Sequence, residues 1–281
     1  MKQFIVFGTS FVNIFYSLIS DNFQIKKFPG AMIKGLLNKN ENYKIIINIL
    51  KNNYYNYAFF IFGTPDCNFY FFKKKYVDKV NDNIIEKTIL NNAKKYVQMV
   101  SKFNNIENKY ILNIGPPAIL NYNDFKKSLL HYNVLNEDQI KLLDKKDIEY
   151  KSRYNRFVNF NKILEIECKK YNINFCNIFD LLLNNKKYID KKFRLSTVKF
   201  NVHFNFENVL IIYINTCLSF LKDKKIFLSY DKLKKKILKS HINYIKYLNS
   251  RYNLNEKQNF YKLNFIKIEK FINKKILKIK N

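Results

Sequence analysis

Ser10 and His203 are the residues whose types and settings point most directly to covalent chemistry. Ser10 ends the run Gln3-Phe4-Ile5-Val6-Phe7-Gly8-Thr9-Ser10, in which an apolar, partly β-branched stretch stops at a glycine and a serine follows two places on. Beyond it Phe11, Val12, Ile14, Phe15, Leu18 and Ile19 recur at helical spacing, so the stretch reads as strand, tight turn and helix. That order puts Ser10 at a helix N-terminus, where free N–H groups and the helix dipole favour an oxyanion or a phosphate. It also puts Ser10 at the carboxyl end of a first strand, where open α/β sheets bind ligands. A serine held there serves as nucleophile, anion ligand or N-cap, and this stretch alone does not choose among them.

Attack on an ester by a serine needs a base within hydrogen-bond reach and donors for the oxyanion. His203 is the candidate base, although in isolation it reads more readily as a polar loop residue, and it is its place in the order of blocks that favours a base. The other two histidines, His131 and His241, lie in lysine-rich helical stretches and read as surface residues. Asp66 reads as a carboxylate that caps backbone amides rather than as an acid. Arg153 and Arg156 are expected to pair with Glu149, Glu165 or Glu167. Cys67, Cys168, Cys176 and Cys217 form no CxxC pair and no ligand-like spacing with histidine, so neither a metal nor a cofactor is expected.

Those residues need a scaffold, and the apolar runs supply one. Strand-like stretches end at Phe7, Phe28, Phe62, Ile114 and Ile178, with Tyr57-Ala58-Phe59-Phe60-Ile61-Phe62 apolar enough for a strand buried on both faces. Helical patterns separate them over 31–36, 43–50, 77–103, 124–132, 137–143, 148–171 and 206–221. Strands alternating with helices indicate a parallel sheet covered on both faces. Each strand ends in a Gly, Pro or polar turn, and all these turns fall on one rim: Ser10 after the first strand, Gly30 after the second, and the Gly63–Asp66 turn after the third. His203 precedes the last helix.

This order of blocks resembles the SGNH/GDSL hydrolases. Gly8-Thr9-Ser10 occupies the GDS place, Phe28-Pro29-Gly30-Ala31 the glycine block, Phe62-Gly63-Thr64-Pro65-Asp66 the GxND block, and Phe200-Asn201-Val202-His203 the DxxH block. The runs GA-x-x-KGL from Gly30, FG-x-x-D-x-NF from Phe62 and His-x-Asn-x-Glu from His203 resemble a little-described microbial and viral branch of that superfamily. The resemblance covers residues 1–221. It implies a three-layer α/β/α, flavodoxin-like fold with a five-stranded parallel sheet. It also implies a serine esterase or acyl-transferring enzyme acting on an ester, with an O-acyl group on a carbohydrate as the substrate class. Ser10 would then be the nucleophile and His203 the base, and the amides of Ser10 and Gly30 would receive the oxyanion. Gly8, Gly63, Asp66 and Asn201 would support the site.

Three departures bear on activity. Thr9 replaces the GDS aspartate and leaves the nucleophile in place. Pro65 stands where an asparagine donates to the oxyanion, a role that falls to Asn68 if it is filled. Phe200 stands where the triad aspartate belongs, and the polar residue beside it is Asn201. The alternatives are a degenerate member of the same fold serving as a binding module, and a basic nucleic-acid-binding protein.

The charge is the reason for the last alternative: 51 Lys and Arg against 22 Asp and Glu give a formal net charge of +29. The arginines are only Arg153, Arg156, Arg194 and Arg251, however, and phosphate and base recognition lean on arginine forks. A lysine excess among many Asn, Ile and Tyr is the mark of compositional drift, and it predicts non-specific attraction to polyanions. From 222 the chain becomes a lysine-coated helical pattern, expected as a basic hairpin extension over 222–281. Gly8, Thr9, Ser10 and Asn13 interrupt the early apolar stretch and no small-residue cleavage site follows. A signal peptide is therefore not expected, no stretch reads as a membrane span, and the dispersed thiols fit the cytoplasm.

Overall fold

Aromatic and β-branched residues alternate along the strands, and the alternation sorts them onto two faces of one sheet. A computed structural model of the chain describes residues 3–18, 22–194 and 201–220. The strands are β1 (Phe4–Gly8), β2 (Phe23–Lys27), β3 (Tyr55–Ile61), β4 (Ile106–Leu112) and β5 (Asn174–Cys176). They form a five-stranded sheet in the order β2-β1-β3-β4-β5, parallel at every pairing. Val6 at its centre lies between Ile25 and Phe59.

The helices are α1 (Ile33–Leu37), α2 (Glu41–Asn52), α3 (Asp82–Ser101), α4 (Tyr122–His131), α5 (Glu137–Lys141), α6 (Lys145–Ile148), α7 (Tyr150–Lys170) and α8 (Phe206–Thr216). On one sheet face Phe4, Phe23, Tyr57, Phe59 and Tyr110 form a layer of rings. Phe15, Tyr213 of α8 and Phe220 pack onto that layer. On the other face Phe7, Ala58 and Phe60 join Leu36, Ile46, Ile89, Val97 and Leu164 in one buried cluster drawn from α1, α2, α3 and α7. Phe59 and Phe60 point to opposite layers and are at most 1% exposed, each burial contributing roughly 1.5–3 kcal/mol. The result is the three-layer α/β/α arrangement.

The abundant asparagines begin helices. Asn40, Asn81, Asn121, Asn136 and Asn205 each accept a backbone N–H in the first turn of the helix they precede, and Asn136 forms a capping box with Gln139.

The structure departs from the sequence reading in several elements, and the helix expected over 77–103 begins only at Asp82. The segment after β1 is a 3-10 helix, Ser10–Leu18, rather than an α-helix. The residues after β3, expected as a turn, are helical from 64 to 77 with π-helical stretches Asp66–Tyr70 and Lys73–Val77. Pro65 sits in the first turn of that helix, where a missing N–H costs little. The helix expected to begin at 148 is split: α6 ends and Glu149, with ψ of 144°, turns the chain into α7. The C-terminal extension over 222–281 and Phe200 lie outside the described residues. Among the described residues no helix is long and apolar enough to cross a membrane.

Candidate active site

Gly8 ends β1 where no side chain fits: a Cβ there would lie 2.3 Å from Ile61 Cγ2 and 2.5 Å from the Ile61 carbonyl oxygen. The close approach lets the Thr9 amide donate to that carbonyl at 3.2 Å, and the chain turns into the 3-10 helix with Ser10 as its first residue. The buried Thr9 hydroxyl oxygen has no hydrogen-bond partner among the described residues. Ser10 itself is half-buried at the sheet's carboxyl rim.

His203 reaches the same rim from the other end of the chain. An antiparallel bridge joins Phe204 to Arg194, and the Asn205 amide donates to the Phe193 carbonyl at 2.9 Å. The Phe204 ring fills the space left by Gly115, where a Cβ would stand 2.6 Å from the ring, and meets Phe11 edge-on at 5.3 Å. Phe11 also lies against the imidazole, ring centres 5.1 Å apart. Held this way, His203 Nε2 lies 2.5 Å from Ser10 Oγ across 193 residues of sequence.

The other ring nitrogen settles the proton arrangement. Asn201, buried beside it, places Oδ1 2.6 Å from His203 Nδ1 and 2.9 Å from the His203 backbone nitrogen. A backbone N–H can only donate, so the amide atom it meets is the acceptor oxygen and not the NH₂ group. Nδ1 must then carry the proton it gives to that oxygen. Nε2 is left with its lone pair facing the Ser10 hydroxyl, which is the arrangement a general base requires. Asn201 supplies orientation and tautomer, but no negative charge.

The remaining rim residues play different parts. Phe28 donates to the Gly8 carbonyl at 2.8 Å, so the turn into Gly30 begins beside the β1 exit. Gly30 has φ of 68° and open space where a Cβ would be. Among the described residues neither the Ser10 nor the Gly30 amide donates to a backbone carbonyl. Gly63 has φ of 116°, and a Cβ there would meet the Phe160 ring at 2.4 Å, so it is required by both conformation and space. Asp66 accepts the Ile33 amide with both carboxylate oxygens, at 3.2 and 3.1 Å, and so caps α1 from across the rim. Burial pushes its carboxyl up to about 7, against the opposing pull of backbone amides at Ile33, Asp66 and Lys34. Asn68 is buried in the π-helical turn and makes no hydrogen bond to Ser10 or His203.

The arginines are structural, with partners other than those expected. Arg156 pairs with Glu86 of α3 at 2.8 Å and stacks on Phe71, while buried Arg153 donates to the carbonyls of Ile148 and Ile119. Two contributors had no distinctive sequence signal. Gly115 makes room for Phe204, and Asn161 brackets the backbone of Ile114, accepting its N–H at 3.1 Å and donating to its carbonyl at 2.7 Å. A glycine inside Gly-Pro-Pro reads only as a turn, and one asparagine among many carries no mark. Among the described residues no three His, Cys, Asp or Glu side chains converge as a metal site would need.

No protein-family model matches the sequence, and no curated protein matches it. Solved structures similar to it include a GDSL-like lipase from Bacteroides thetaiotaomicron at 12% identity and TM-score 0.45, covering 75% of this chain and 84% of that one. An acetylxylan esterase from Geobacillus stearothermophilus is similar at 8% identity and TM-score 0.43, covering 81% and 95%. An alpha/beta hydrolase from the metagenome of Lake Arreo, Spain, is similar at 9% identity and TM-score 0.44, covering 76% and 94%.

Proposed function

We propose that this chain is a serine esterase or acyl-transferring enzyme in which Ser10 is the nucleophile and His203 the general base. One observation carries the reading: the 2.5 Å contact between Ser10 Oγ and a His203 Nε2 whose lone pair is turned toward it by Asn201. In the first half-reaction Nε2 takes the hydroxyl proton as Oγ attacks the ester carbonyl carbon. The amides of Ser10 and Gly30 receive the oxyanion, and the imidazolium returns its proton to the leaving alcohol. Water or a second alcohol, activated by the same nitrogen, then takes the acyl group from Ser10.

The substrate class follows from the resemblance: an ester, with O-acylated carbohydrate as its specific form. Pro65 withholds the side-chain donor that an asparagine would give the oxyanion, so two backbone amides carry that load. Hydrolysis of 4-nitrophenyl acetate and of an acetylated xylo-oligosaccharide tests the reading. Wild-type protein should turn over the first, and Ser10→Ala and His203→Ala should each reduce turnover by on the order of 10³-fold or more. Turnover unchanged in both variants would leave the fold as a binding module.

A further inference from the structure

Apart from Ser10 and His203, a groove of about 460 Å³ is lined by α2 and α3 and the residues that flank them, a size typical of small-molecule sites. Its lining includes the partly buried apolar side chains of Tyr43, Ile47 and Met99. Lys39, Lys51, Lys95 and Lys102 also line it, all exposed, and no acidic residue does. None of these four lysines belongs to an ion pair among the described residues. Elsewhere lysines do find carboxylates, as Lys75 does with Asp82 and Asp147, both at 2.7 Å. An apolar trough edged by unneutralised cations is complementary to a molecule with an apolar body and an anionic end.

We propose that this groove binds a single-chain anionic amphiphile, a long-chain carboxylate, with its tail along Ile47 and Met99 and its head among the lysines. The groove contains none of the residues placed around Ser10, so this inference stands apart from the esterase reading.

Calorimetric titration of the full chain with dodecanoate below its micelle concentration, and with dodecanol, tests it. Dodecanoate should bind with one-to-one stoichiometry and about tenfold or more tighter than the alcohol. Lys95→Glu with Lys102→Glu should weaken it by about tenfold or more. Lys145→Glu with Lys146→Glu, the same charge change on an exposed helix outside the groove, should leave it unchanged. Lys95→Gln with Lys102→Gln repeats the test without charge reversal, and thermal melts show that each variant is folded. No saturable binding, equal affinity for the alcohol, or equal loss from both reversals would overturn the proposal. Binding at Ser10 instead would be insensitive to Lys95 and Lys102, and would overturn it too.

Discussion

Asn201 Oδ1 takes two hydrogen bonds from His203, and the backbone one decides what the ring one means. Where an asparagine replaces a triad aspartate and presents the wrong tautomer, turnover falls about 10⁴-fold. Here the pinned oxygen preserves the tautomer, and what Asn201 itself lacks beside an aspartate is the charge. Asn201→Ala should therefore lower esterase kcat by on the order of 10²-fold, and Asn201→Asp should raise it by about tenfold or more. Steady-state kinetics on both variants checks this, and an Asp variant slower than wild type would contradict it. Much of this was legible in the sequence: Ser10 and His203 stood in the right order, and Asn201 was the polar residue next to the vacated position. The sequence could not show that a backbone amide would fix which way the Asn201 amide faces, because that depends on the local path of 201–203.

Among elements, the turn after β3 holds the rim together through Asp66, which clamps the start of α1. Its carboxyl is raised by burial from 3.8 to about 7. The folded state therefore holds a proton that the unfolded chain releases near pH 4. Asp66 contributes stability that is full below that pH and is lost as pH rises through about 7. Urea melts across this window should show wild-type stability falling relative to Asp66→Asn, by a few kcal/mol in order of magnitude. A constant difference between the two proteins would contradict the assignment. The strand positions were readable because apolar runs stop at a Gly, a Pro or a polar turn. The 3-10 form of Ser10–Leu18 was not, since Phe11 with Ile14, and Val12 with Phe15 and Leu18, satisfy a three-residue period and an α-helical one alike. The pairing of Arg156 with Glu86 escaped the reading for another reason, the 70 residues between the partners.

At the scale of the molecule, the +29 charge is carried almost wholly by lysine. The structure sharpens that point, for Arg153 and Arg156 are buried in structural contacts and leave few guanidinium forks for base edges. Duplex DNA should bind weakly and without sequence preference, with affinity falling steeply with salt and fading near physiological ionic strength. Fluorescence anisotropy across a salt series measures this, and submicromolar selective binding at physiological salt would favour the nucleic-acid reading. The central claim is narrower: a hydroxyl at position 10 made nucleophilic by a base 193 residues away. A fluorophosphonate probe reads it directly, because it reacts with activated serines and leaves a covalent adduct that peptide mass spectrometry can locate. The adduct should form on Ser10, disappear in Ser10→Ala, and fall sharply in His203→Ala. Absence of labelling on the folded wild-type protein, or labelling that survives Ser10→Ala, would contradict it.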